Sequence, residues 1–355
     1  MYRAGIIGLA DIAVGPIDAA PAAALGVKMP YNHAAAYAQT QGATVVAVCD
    51  VTAAMVERFQ KQYGARWPEA KGYSDYRKMF AEAKLDMVSI CTPDHLHADM
   101  VVAACESGVR GIVCEKPLAT TIADAERMIA AVEKHGVKMS VEHTRRFIYD
   151  YHEAREQVRK GRIGKLHRIV STLNGERAML FRNGTHAIDL ICFFAESDPA
   201  WVSGVLDEEF EGYGPRYAGD GGRSPASDPG ALGIIHFQNG VRALYQGSQH
   251  TVSHLEIDLI GNIGRLHVGA SNSKFEIYLP GPDGASDLFH KDLPRMHTTH
   301  NAIHAAIEEM VLLLDTGGES VSPPREALRS VQIMLGLLQS HYLGGTRVTV
   351  PLRDL

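Results

Sequence analysis

Two rhythms of apolar residues divide this chain. Through its first 140 residues, short runs rich in Val, Ile and Cys at 4–9, 44–49, 87–91, 111–114 and 138–141 alternate with stretches whose apolar positions recur at helical spacing, at 53–63, 76–83, 97–107 and 122–135. Strands that are apolar throughout, separated by helices, predict a parallel sheet covered on both faces. Gly108 and Gly136 follow the last two helical stretches, where a residue free to turn left-handed stops a helix.

After Arg145 the rhythm changes. One helix is predicted at 151–160, followed by strands at 167–173, 233–237, 241–246 and 255–260, with turn signals at Gln238-Asn239-Gly240 and Gly261-Asn262-Ile263-Gly264. Strands without intervening helices predict a mostly antiparallel open sheet in an α+β domain. Helices at 301–314 and 325–341 end the chain, and the Gly-, Pro-, Asp- and Ser-rich stretch 213–230 reads as a loop that contacts a ligand or a neighbour. The fold class expected is α/β: a doubly wound parallel domain over 1–145 and an α+β domain over 146–355, with the terminal helix packing back on the first. A length of 355 residues suits two domains of about 150 each.

Composition narrows the function more than the fold. With 46% hydrophobic and 21% charged residues the chain can bury a sizeable core. Its formal net charge of −6, with no long Lys/Arg run, argues against a nucleic-acid or anionic-membrane partner and for a small molecule. No apolar stretch approaches the roughly 18 residues of a membrane span, and the N-terminus reads as a strand entering a turn, so a cytoplasmic protein is expected. The cysteines, Cys49, Cys91, Cys105, Cys114 and Cys192, form no CxxC pair and read as reduced core residues. His300 and His304 share a helix face with Glu308, a spacing that can bind zinc; without further ligands it reads as polar surface, and no metal is expected.

The chemistry gathers at strand ends. The turn Gly8-Leu9-Ala10-Asp11-Ile12-Ala13 matches a dinucleotide fingerprint except that Ala10 replaces the second glycine. Asp50 ends the second strand, where a carboxylate accepts ribose hydroxyls and repels a 2′-phosphate, favouring NAD over NADP; it can equally cap the following helix. Gly8 and Asp50 are 42 residues apart where about 20 is usual, so residues 14–32, with Pro16, Pro21, Gly26 and Pro30, form an insertion at the ligand end of the sheet. Two further turns follow strands: Cys91-Thr92-Pro93-Asp94-His95-Leu96-His97, and Cys114-Glu115-Lys116-Pro117, whose ammonium is placed to polarise a substrate oxygen.

In order, GIIGLAD, the Asp50 strand end, CTPDHLHADM, CEKPLA, HTRRF, GRIGKLHRI and GTHAIDLICFF resemble the glucose-fructose oxidoreductase, inositol dehydrogenase and MocA (Gfo/Idh/MocA) family, and HFQNGVRALYQ and GNIGRLHV resemble its sheet. The resemblance implies a Rossmann domain followed by an α+β domain whose open sheet serves homo-oligomers, dimer or tetramer. It implies an NAD-dependent enzyme moving hydride between a nicotinamide and a secondary alcohol or ketone of a sugar, sugar derivative or cyclitol. Lys116 and His186 are then the catalytic pair, and the Lys116–Pro117 bond is expected to be cis. Gly8, Ala10, Asp11, Ile12, Asp50, Thr92, Pro93, His95, His97, Glu115 and Lys116 would face the cofactor. Thr144, Arg145, Arg146, Tyr149, Arg182, Asn183 and Asp189 would face the substrate.

One departure matters. The family places an Asp four residues before the His, and Arg182 stands there; a guanidinium cannot act as a base, but it can bind an anionic or hydroxylated group. This leaves two alternatives to a net dehydrogenase or ketoreductase: a lyase or hydrolase that keeps its NAD and oxidises a ring carbon transiently, and a redox-inactive sugar sensor.

Overall fold

The computed structural model describes residues 1–15, 32–221, 223–269, 275–281, 288–293 and 302–352. Chain contacts divide it into two compact units: residues 1–22, 27–147 and 299–328, and residues 23–26, 148–298 and 329–355.

The first unit opens with β1 (Tyr2–Ile7), α1 (Asp11–Val14), α2 (His33–Gln39), β2 (Ala43–Cys49), α3 (Ala53–Tyr63) and β3 (Lys71–Tyr73). It continues with α4 (Tyr76–Ala83), β4 (Met87–Ile90), α5 (His97–Glu106), β5 (Gly111–Cys114), α6 (Ile122–His135) and β6 (Lys138–Val141). The six strands are parallel in the order β3-β2-β1-β4-β5-β6. β4 and β5 are buried at every position, as helices on both faces require. The order reverses between β1 and β4, and in doubly wound sheets a ligand lies beyond the strand ends at such a point. α6 follows its expected course: Thr121 caps it by accepting from Asp124 N–H, and Gly136 ends it at φ 65°. β3 escaped the apolar pattern because two of its three residues are exposed.

The second unit contains α7 (Tyr149–Arg159), β7 (Leu166–Asn174), α8 (Thr185–Ala195), β8 (Pro199–Leu206), β9 (Ala231–Phe237) and β10 (Arg242–Ser248). Then come β11 (His254–Gly261), β12 (Arg265–Gly269), β13 (Phe275–Pro280) and β14 (Leu288–Asp292). The later α9 (Ala302–Thr316) is followed by α10 (Pro324–Tyr342), and β15 (Val348–Thr349) completes a nine-stranded sheet in the order β14-β13-β12-β11-β7-β10-β9-β8-β15. Among the described residues its one parallel pair is β7 with β10, so the expected mostly antiparallel sheet is present. Burial alternates residue by residue along β9 and β10, which leaves Leu232, Ile234 and Leu244 exposed by 52%, 43% and 45% on the open face. Every residue of α8 is buried.

α9 belongs to the first unit. Its Ile303, Ala306, Ile307 and Met310 join the core formed by Ala4, Ile6, Val45, Met87 and Val113. Gly111 on β5 admits Met310: a methyl group there would lie 2.8 Å from the sulfur. The first unit thus takes its last apolar layer from beyond residue 299, and the terminal helix α10 only begins in it.

Candidate active site

The turn after β1 is built around Gly8. Its φ of +80° suits glycine, and a Cβ would lie 2.8 Å from the Cys91 carbonyl carbon and oxygen. Gly8 N–H donates to Cys49 O at 2.9 Å, and Leu9 N–H donates to Asp50 Oδ2 at 2.8 Å. Asp50 Oδ1 accepts from Thr52 N–H at 2.9 Å, so this carboxylate both fastens the turn and starts α3. Each oxygen retains a second lone pair, and the residue is half-buried, so ribose hydroxyls could still be accepted. Ala10 is exposed and adopts φ −69°, which any L-residue accepts, so the position does not require glycine. Asp11 is exposed and paired with Arg58 at 2.8 Å; Ile12 packs against the core.

The insertion begins as a break in the first helix. α1 makes a single turn, and Asn32 reaches back to donate to Gly15 O at 3.3 Å. The Asn32 side-chain oxygen accepts from Ala35 N–H at 2.8 Å and from Tyr63 O–H at 3.2 Å, capping α2. Residues 16–31, the body of the insertion, lie outside the described residues.

The next two loops are tied together from below. Thr92 and Pro93 lead into a short turn, where the exposed His95 stands 3.6 Å from Asp94. His97 is fully buried, with one ring nitrogen 2.9 Å from Pro117 O and the other 3.0 Å from Thr92 O. Burial lowers its pKa, so the neutral ring donates to one carbonyl at a time. The expectation of His97 as a cofactor contact gives way to an indirect role, because the ring is enclosed and serves the loops. The Lys116–Pro117 bond is cis, as expected for this motif. Lys116 is half-buried at the carboxyl end of β5.

Glu115 is buried, and its Oε1 accepts from His33 Nε2 at 3.2 Å. Burial alone would push its carboxyl up, but the hydrogen bond and charge of His33, with Lys116 and His97, hold it below the usual range. Glu142, just after β6, behaves oppositely: burial, then the charges of Glu115 and Glu309, push its carboxyl well above the usual range. Neither residue's environment could be read from sequence, since the partners come from four different elements.

Thr144–Phe147 forms one tight turn. Arg145 contacts Thr144 Oγ1 at 3.3 Å. Arg146 is only 1% exposed; it donates to Val321 O at 3.1 Å and pairs with Glu326, so the expected substrate contact is an internal brace of the first unit. The reason is tertiary: its guanidinium satisfies a carbonyl of the returning chain.

In the second unit a widened turn, Leu180–Gly184, feeds α8. It holds Arg182 and Asn183, and it is shaped by a residue that sequence reading missed. Buried Asp228 accepts from Phe181 N–H at 3.0 Å and Arg182 N–H at 2.9 Å, while Leu180 N–H donates to Pro229 O at 2.7 Å. Tyr217 stacks on Phe181 with ring centres 3.9 Å apart. The Gly-rich stretch thus organises the turn before His186, and only its excess of Asp and Gly signalled anything. His186 is 6% exposed and Asp189 fully buried, one helical turn apart on α8. Tyr245 also went unnoticed: its hydroxyl would lie 2.6 Å from a Cβ at Gly184, and burial, then Asp228 and Asp207, push its phenol well up. Tyr149 is 36% exposed and donates to Glu153 at 3.3 Å.

The other chemical candidates are quiet. All five cysteines are buried and none is in a disulfide, and burial pushes the Cys105 thiol to about 11 and Cys49 to about 12, so neither is a nucleophile near neutral pH. His304 is buried against Glu308 at 3.4 Å, not on the surface as its pattern suggested; His300 lies outside the described residues. Among the described residues no helix is long and apolar enough to cross a membrane.

Comparison with known proteins agrees with this construction. Residues 22–143 match the model of the oxidoreductase family with an NAD-binding Rossmann fold, and residues 151–267 match the GFO/IDH/MocA C-terminal domain. The chain is 35% identical over 125 residues to inositol 2-dehydrogenase of Salmonella paratyphi B, an alignment covering 35% of this chain and 36%, about a third, of that enzyme's length. It is 25% identical over 239 residues to myo-inositol 2-dehydrogenase of Thermotoga maritima, covering 66% of this chain and 70% of the relative. The fold is shared with an oxidoreductase from Agrobacterium radiobacter solved in complex with NAD+, L-tartaric acid and magnesium, at TM-score 0.75 and 18% identity over 98% of both chains. The two family models together span most of the chain in the expected order, and the protein belongs to the Gfo/Idh/MocA family of NAD-binding oxidoreductases.

Proposed function

We propose that the protein is an NAD-dependent dehydrogenase or ketoreductase acting on a secondary alcohol of a sugar, sugar derivative or cyclitol. The observation that carries this reading is the construction at the strand-order reversal. There Gly8 admits no side chain, Asp50 fastens the turn, and His97 ties the Thr92 loop to the loop bearing Lys116. The turn at Gly8, Leu9 and Ala10 offers close backbone approach for a pyrophosphate, and Asp50 offers a carboxylate for the ribose. When bound, the nicotinamide supplies the acceptor or donor of hydride.

The chain's own groups then handle charge and protons. Lys116 stabilises negative charge developing on the reacting oxygen. His186 takes the hydroxyl proton on oxidation and returns it on reduction, since an imidazole can both accept and donate a proton. Arg182 recognises an anionic or heavily hydroxylated part of the substrate, assisted by Asn183, Asp189, Tyr149, Thr144 and Arg145. Arg182 in place of the family Asp also favours a second reading, transient oxidation with retained NAD. Turnover without net NADH would select it. The deciding screen follows reduced nicotinamide with sugars, sugar acids and cyclitols; a protein that neither binds NADH nor turns over any of them would refute both.

Asp50 sets the coenzyme preference. NAD is expected to give a kcat/KM at least about tenfold above NADP, since a fixed carboxylate repels a 2′-phosphate by a kcal/mol or more, roughly tenfold per 1.4 kcal/mol. Asp50→Ser is expected to narrow that ratio. Faster turnover with NADP in the unaltered enzyme would contradict the assignment.

The open sheet face is assigned to a second copy of this chain. Ile234 lies opposite Leu244, and the neighbouring Val205 lies opposite Leu232, so the exposed apolar side chains form adjoining rows across β8, β9 and β10 that can meet their own symmetry mates. Sedimentation velocity should show a dimer or tetramer that Leu244→Arg shifts toward monomer. A wild-type monomer at micromolar concentration would remove the assignment.

A further inference from the structure

β14 is an outer strand of the nine-stranded sheet, and it pairs with β13 over five residues without burying one of its own. A strand is ordinarily held by packing one face against a core, and here that contribution is small. The polar side chains that β14 brings to the sheet offer another fastening.

Antiparallel pairing sets Asp292 directly opposite Glu276 on β13, and His290 directly opposite Tyr278. Residues two apart on a strand share a face, so all four lie on one side of the sheet. Glu276 is 2% exposed, whereas His290 and Asp292 are exposed. Among the described residues, Glu276, His290 and Asp292 form the one group of three whose ligand atoms, an imidazole nitrogen and two carboxylate oxygens, all lie within 4.8 Å of one another. Beside them, Tyr278 O–H donates to Glu276 Oε2 at 2.7 Å, and the ring centres of Tyr278 and His290 are 5.8 Å apart.

The charges along this row are unbalanced at one place. Across β11, β12 and β13 the opposed residues are Asp258, His267 and Glu276, and His267 Nδ1 stands 3.1 Å from Asp258 Oδ1, so an imidazole separates the two acids. Arg265, over the Tyr278 ring, also pairs with Asp258 at 3.1 Å. β14 then sets a second carboxylate directly opposite Glu276, where like charges repel. A divalent cation between the two turns that repulsion into attraction.

We propose that Glu276, His290 and Asp292 bind a zinc ion, with water completing its shell, and that the ion clamps β14 to β13. One imidazole nitrogen and two carboxylate oxygens suit this metal. Ligands about 2.0–2.2 Å from zinc stand roughly 3.3–3.5 Å apart in a tetrahedron, a closure that the exposed His290 and Asp292 side chains supply by small rotations. Glu276 takes part with its other contacts in place: one carboxylate oxygen binds the metal while the group keeps its hydrogen bonds, and Tyr278 orients it from the outer shell. The site shares no residue with the proposed active site and rests on neither coenzyme nor substrate.

The test uses the full chain, stripped with EDTA, dialysed and titrated with zinc chloride by isothermal calorimetry. One zinc per chain should bind here at micromolar concentration or below. His290→Ala and Asp292→Asn, at exposed positions away from the apolar core, should each weaken this binding at least about tenfold, and Tyr278→Phe about tenfold, as loss of an outer-shell partner does. Hydrogen–deuterium exchange gives the location: zinc should slow exchange in the peptide containing residues 288–292 of the unaltered protein and leave it unchanged in His290→Ala. Thermal unfolding verifies that each variant is folded. Absence of micromolar zinc binding, binding that either His290→Ala or Asp292→Asn leaves intact, or exchange at 288–292 that zinc does not slow overturns the proposal.

Discussion

Lys116→Ala is expected to lower kcat/KM by about a thousandfold, within the 10²–10⁴ range of a lost proton-transfer or oxyanion-stabilising group. Melting temperature should hardly change. The side chain is half-buried at the end of β5 and contributes nothing to the apolar core, so its removal opens no cavity among Ala4, Ile6, Met87 and Val113. NADH affinity, followed by fluorescence titration, should weaken by far less than turnover, because the proposed coenzyme contacts of Gly8 and Asp50 remain. An enzyme that keeps full activity without this ammonium would require another residue to carry the chemistry.

Asp228→Ala is expected to give the largest loss of stability. It removes a buried carboxylate that accepts from two consecutive backbone N–H groups, those of Phe181 and Arg182. Hydrogen bonds to a charged acceptor contribute about 1.5–3 kcal/mol each, and stranded donors add to the loss, so a cost of roughly 3–5 kcal/mol follows. Asp228→Asn retains one acceptor oxygen and should recover about half of it. Denaturant unfolding followed by tryptophan fluorescence reports this directly, since Trp201 belongs to the second unit. A cost below about 1 kcal/mol for the alanine variant would mean that the turn before His186 holds its shape by packing alone.

The legible part of this protein is the part dictated by local periodicity. β5, β6, α3, α4 and α6 begin and end where the apolar spacing places them, because each is bounded by a cap, a glycine or a turn within a few residues. The ordered motifs likewise place Gly8, Asp50, Thr92 and Lys116 at strand ends, where the structure has them. Three-dimensional partnerships were not legible. Arg146 sits among arginines and aromatics that suggest a binding loop, yet its partner Glu326 lies 180 residues away. Asp228 and Tyr245 act on a turn some 46 and 60 positions earlier, through a loop whose composition says only that it is irregular. β12 and β14 carry Arg, His, Lys and Asp among few apolar residues, so their pairing comes from neighbouring strands rather than from their own pattern.

The contribution of α9 to the first unit has a consequence for biosynthesis. On a ribosome the six parallel strands emerge by residue 141, but the helix that closes their interior is still more than 150 residues from the exit tunnel. At a translation rate of about 10 residues per second, the nascent nucleotide-binding half waits roughly a quarter of a minute with an apolar groove open beside β5. Chaperone attendance is therefore expected during that interval, and a transcript truncated before residue 302 should yield a product that aggregates.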